Sequence, residues 1–112
     1  NTIQLLQYVK DKSLLEKLYE QLKKDFVLAN IPFEVKRDST IYDFKDLLQE
    51  KIYLLMMEHF DSYLNLLYII DLPEKAFKKI IITDTVEVSQ QVSFLILKRE
   101  LQKILFKEKY SS

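Results

Sequence analysis

The sequence predicts an all-α protein, a small four- to five-helix bundle built around a long central helix of about residues 40–70, and three observations carry that reading. Glycine is absent from the 112 residues, where average usage of roughly 7% would supply about eight. Apolar residues recur at steps of three and four along most of the chain, the spacing that lines one face of a helix. Ser, Thr or Asp followed three residues later by an acid opens several of these stretches, as a helix N-terminus does.

In chain order, residues 3–10 give a short helix with Ile3, Leu6 and Val9 on one side. Ser13 with Glu16 reads as a capping box for a second helix, whose face carries Leu14, Leu15, Leu18, Tyr19, Leu22, Phe26 and Ala29. Asn30 and Pro32 end it, the first tolerant of a left-handed C-cap, the second unable to continue a helix. Residues 31–39 alternate briefly at PFEVK, but a lone strand would have no partner, so a loop is expected.

Thr40 with Asp43 opens the central element, and Ile41, Phe44, Leu48, Ile52 and Leu55 form its stripe. Tyr53 to Met57 is apolar or aromatic throughout, which predicts a stretch enclosed by protein on every side. The stripe continues through His59, Tyr63, Leu66 and Ile70. Asp61 and Ser62 could equally cap a fresh helix, so the pattern allows one kinked helix or two stacked ones. Asp71 with Glu74, and Pro73 in the first turn, predict a short helix over 73–81. Asp84 with Glu87 opens the last helix, 86–109. Val88, Val92, Leu95 and Ile96 share one side of its first half. Phe94, Leu97, Leu101, Ile104 and Leu105 share nearly the opposite side further on, which predicts two different neighbours, one the central helix and the other a second copy of the chain.

A chain of this length fits a single helical domain, 1–112, able to bury a core without staples. With no cysteine there is no disulfide, thiolate nucleophile or cysteine metal site. Seventeen basic residues balance seventeen acidic ones, so no global field draws in nucleic acid or acidic membrane. Phosphate-cradling loops of the Walker or dinucleotide type need glycine and are excluded. No apolar run reaches the roughly 20 residues of a membrane span. Asn1 opens no signal-peptide pattern, and a disulfide-free domain fits the cytoplasm.

Candidate chemistry is sparse. His59 is the only histidine, which rules out sites built on several imidazoles. With Glu58, Asp61 and Tyr63 it makes a cluster capable of acid–base work in a pocket, although one His on an apolar stripe is ordinarily a core-edge imidazole. A ferritin-like di-metal site fails on spacing, because Met56 stands three residues before His59 where a Glu is needed. Lys98, Arg99, Lys103, Lys107 and Lys109 outnumber Glu100 and Glu108. That excess is modest for nucleic-acid binding, and the helix dipole alone favours lysines near a C-terminus.

At YLNLLYIIDLPEKAF, followed by FLILKRELQK, the chain resembles uncharacterised small all-helical proteins of Bacteroidetes-type bacteria, over residues 14–108. The resemblance implies a cytoplasmic bacterial protein and transfers no functional residue.

The resulting expectation is a non-enzymatic interaction or structural module that self-associates as a homodimer or meets another protein. Phe94, Leu97, Leu101, Ile104 and Leu105 are its expected interface; no cofactor, metal, membrane or nucleic-acid partner is called for. The alternative is a small-ligand or enzymatic site in a groove near Glu58, His59, Asp61 and Tyr63. A third reading gives the basic C-terminal helix a nucleic-acid contact.

Overall fold

The structure, a computed structural model, describes residues 1–110. It is all-α: six helices and no strand occur among the described residues. Helix α1 (Thr2–Asp11), α2 (Leu15–Leu28), α3 (Ile41–Glu58), α4 (Phe60–Ile70), the single-turn α5 (Glu74–Phe77) and α6 (Thr85–Tyr110) pack into a body of 40 × 29 × 27 Å.

The core follows the periodic residues. Leu6 and Val9 of α1, Leu18, Leu22 and Phe26 of α2, and Phe44, Leu48 and Ile52 of α3 are buried with Leu66 and Ile70 of α4 and Val92, Ile96 and Leu97 of α6. Each such side chain contributes about 1.5–3 kcal/mol by leaving water. The connection between α2 and α3 joins this core. Ile31 and Phe33 are buried while Pro32 and Glu34 face out. Phe33 stacks on Phe26 at 4.4 Å and meets Phe44 edge-on at 6.3 Å, so the PFEVK alternation acts as a pair of plugs without forming a strand.

Several helix ends behave as the sequence predicts. Asp43 N–H donates to Thr40 Oγ1 at 3.1 Å and Thr40 N–H donates to Asp43 Oδ2 at 3.0 Å, a reciprocal capping box. Asn30 takes the left-handed conformation, φ 59°, and Asp84 Oδ1 accepts from Glu87 N–H.

Other ends differ. Ser13 is not a cap: it is itself left-handed, φ 59°, and Leu14 occupies the N-cap without a side-chain hydrogen bond. The α1–α2 turn is so tight that Ser13 makes the reversal, which turns its hydroxyl away from capping. The Asp71–Glu74 box is likewise absent. Asp71 instead ends α4 in the left-handed conformation, φ 67°. Arg99 of α6 clasps it there, Nε donating to the Asp71 carbonyl at 3.0 Å and Nη2 to Oδ2 at 3.1 Å. The helix expected over 73–81 shrinks to Glu74–Phe77, which buries no residue completely and has little packing to extend it.

The central element is two helices. His59, at φ −141° and ψ 62°, ends α3 and starts α4. Neither Asp61 nor Ser62 caps the new helix; the N-cap is His59, without a side-chain bond. An unbroken helix over 41–70 would run about 45 Å, longer than the protein itself, and folding back lets α4 pack on α2, α3 and α6. Enclosure of Tyr53–Met57 is also incomplete. Leu55 is buried, but Leu54 and Met57 are 38% and 57% exposed, because the neighbours of α3 leave one flank open.

Helix α6 packs on α1, α2, α3 and α4 of its own chain rather than on two neighbours, and its two halves face different partners. Tyr53 shares a groove with Val86, and Lys45 shares another with Lys98, so the first half runs antiparallel to α3. Lys103 bonds to Asp25, Lys107 to Gln21, and Lys17 pairs with Glu108, so the second half runs antiparallel to α2. The opposite-side apolar residues therefore cover α2 and α4, and no second copy is needed to bury Leu97 and Ile104, 0% and 4% exposed.

Candidate functional site

The four residues expected to form a pocket do not converge on one. Glu58, His59 and Asp61 lie exposed at the α3–α4 junction, whereas Tyr63 turns inward, 5.5 Å from the Phe60 ring. Burial raises the Tyr63 hydroxyl above its usual range. The reason is geometric: the break at His59 puts the junction at a corner of the molecule, where side chains splay into water. Among the described residues no grouping of three or more His, Asp or Glu could hold a metal ion.

The expected interface on α6 is divided too. Leu97 and Ile104 are core, Phe94 and Leu101 are half-buried, and only Leu105 is largely open.

Three features carry chemistry instead. The first is a buried polar knot between α2, α4 and α6. Lys103 Nζ donates to Asp25 Oδ2 at 2.5 Å and to the Ile70 carbonyl at 3.2 Å. Glu100 Oε1 lies 2.6 Å from the same ammonium, and both Glu100 oxygens are shut off from water. Gln21 bridges outward, its amide N–H reaching Asp25 at 3.4 Å and its oxygen accepting from Lys107 Nζ at 2.6 Å. Burial pushes the Glu100 carboxyl up to about 9, and the adjacent Asp25 adds to this against the pull of Lys103. One ammonium faces two carboxyl groups, so the dry site reaches neutrality with a proton on Glu100.

The sequence does carry a signal for this knot. Asp25 falls on the stripe of Leu18, Leu22 and Phe26, and Glu100 on that of Ile96, Leu97 and Ile104. An acid at a core position of a helix must find a partner or a proton.

The second feature is a groove of about 730 Å³ between the start of α1, α3, α5 and α6. Ile3, Ala76, Ile80, Phe94 and Leu95 supply its apolar surface, and Lys45, Lys79 and Lys98 stand around it against Glu87.

The third is the outer face of α4. Phe60, Leu64 and Tyr68 are 53%, 49% and 84% exposed and stand one above another at intervals of four. Asp61 is the one charged residue of that helix.

No described helix is long and apolar enough to cross a membrane. Compared with known proteins, the chain matches no family model, no curated protein sequence and no solved structure.

Proposed function

We propose that this protein is a self-associating helical interaction module, in which the outer face of α4 docks against the same face of a second copy. The observation that carries the reading is the exposed stripe Phe60, Leu64 and Tyr68 on a helix with a single charge. Large apolar side chains aligned on one face mark contact surfaces more often than isolated ones do. A second copy suits this face better than a charged partner, because it offers almost no charge to complement. Its spacing is also self-complementary. Two α4 helices laid antiparallel with Leu64 on the twofold axis set Phe60 of one copy against Tyr68 of the other.

Eleven residues give a face about 16 Å long. One such helix pair covers less than the roughly 800 Å² per partner of a standard interface, so the association is weak, with a Kd of about 10–100 µM. Sedimentation equilibrium tests it. Wild type should pass from monomer to dimer over that range, and Leu64→Glu should stay monomeric with an unchanged thermal midpoint. A wild-type monomer at about 1 mM, or a Leu64→Glu variant that still dimerises, would remove the proposal.

A further inference from the structure

The groove between α1, α3, α5 and α6 is independent of the α4 face, and its lining points to a different kind of occupant. We propose that it binds a small organic anion with an apolar body. Its volume, about 730 Å³, lies in the range of roughly 300–1,000 Å³ typical of small-molecule sites. Phe94 and Leu95 of α6, with Ala76 of α5 and Ile80 just after it, are only half-buried, and they offer the apolar contact such a body needs.

The charge on the walls sets the sign of the ligand. Lys45 pairs with Asp46 at 3.1 Å, and Glu87 accepts from the Thr83 hydroxyl at 2.7 Å. Among the described residues Lys79 and Lys98 make no ion pair. These ammonium groups come from two different walls, Lys79 after α5 and Lys98 on α6. Gln49 and Gln90 also line the groove, and their side chains make no hydrogen bond among the described residues, which leaves directional donors for an anionic head.

The wall is held in place before any ligand arrives. Gln91 of α6 accepts from Ile81 N–H at 2.9 Å and donates to the Ile81 carbonyl at 2.9 Å, tying the segment after α5 to α6. A preformed wall spares a ligand the entropy of ordering it.

Two fluorescent probes with one apolar body test the idea: 8-anilinonaphthalene-1-sulfonate, an anion, and N-phenyl-1-naphthylamine, its uncharged counterpart. Both are titrated into wild type, Lys79→Gln/Lys98→Gln and Leu64→Glu. The sulfonate should saturate at one site per chain and bind wild type more tightly than the amine does. Removing the two charges should weaken the sulfonate about five- to tenfold and leave the amine unchanged. Leu64→Glu should alter neither, which keeps this result separate from any effect at α4. Equal sulfonate affinity for wild type and the lysine variant overturns the proposal, as does loss of sulfonate binding in Leu64→Glu.

Discussion

Lys103 Nζ lies 2.5 Å from Asp25 Oδ2, and this contact joins the second half of α6 to α2 at the point where α4 ends. The Ile70 carbonyl, among the last of α4, accepts from the same ammonium. A helix C-terminus carries partial negative charge and unsatisfied carbonyls, so one lysine answers both a buried carboxyl group and a helix end.

Lys103→Met should therefore unfold far more easily than a variant that loses an exposed lysine. The lysine side chain is 18% exposed and Asp25 only 5%, and removing one partner of a buried pair costs about 3–5 kcal/mol. Urea denaturation measures it. Adding Asp25→Asn and Glu100→Gln to that variant should recover most of the loss. A single-variant loss below about 1 kcal/mol, the size of an exposed pair, would mean that the knot is solvated.

Glu100 gives stability a slope with pH. Between the ordinary carboxyl value of 4.5 and about 9, the folded chain holds a proton that the unfolded chain has released. Folding takes up that proton, so the contribution is full below the unfolded value and is lost as pH rises towards the folded one. Glu100→Gln cannot titrate. Its stability should vary less between pH 5 and 9, and at pH 9 it should exceed wild type by about 1–3 kcal/mol. Parallel curves for the two proteins would show that Glu100 is ionised in the fold.

Much of this architecture is legible in the sequence because helix faces and caps are local. The stripe from Ile41 to Leu55 and the Thr40–Asp43 box need only neighbours three and four residues away. What depends on distant packing is not legible. Whether the helix breaks at His59 turns on how much of α2 remains uncovered, and whether Leu97 faces a second copy turns on where α2 lies. The residues expected to meet around His59 are set apart for the first reason, three of them exposed and Tyr63 buried. Asp25 and Glu100 stand as acids on apolar stripes, a signal that the expectations drawn from the sequence passed over, and their pairing through Lys103 joins residues 78 apart, which no local pattern reports.

Two small polar side chains are buried in the first half of α6. Ser89 and Ser93 are 2% and 0% exposed, one turn apart, and Ser89 shares a groove wall with Gln49 and Tyr53 of α3. Their hydroxyls bond to the Val86 and Ser89 carbonyls of their own helix, so they need no partner across the gap. Ser93→Ala should change stability by less than about 1 kcal/mol, whereas Ser93→Leu should cost at least about 1–3 kcal/mol through overpacking. Thermal melts of the pair decide it, and a tolerated leucine would mean that the surroundings of Ser93 are not close-packed.

The absence of glycine makes a last outcome sharp. Three residues, Ser13, Asn30 and Asp71, adopt positive φ at 59°, 59° and 67°, where a β-carbon crowds the following carbonyl at about 1–2 kcal/mol per residue. Asn and Asp enter that region more readily than other residues with a β-carbon, and Asp71 also holds Arg99. Ser13 has neither advantage. Ser13→Gly should thus raise stability by about 1 kcal/mol, net of the extra freedom glycine gives the unfolded chain. Asn30→Gly should gain less, and Asp71→Gly should lose stability because the clasp on the end of α4 is partly released. Denaturation of the three single variants gives the order directly. If Asp71→Gly proved the most stabilising, backbone strain at the end of α4 would outweigh the grip of Arg99.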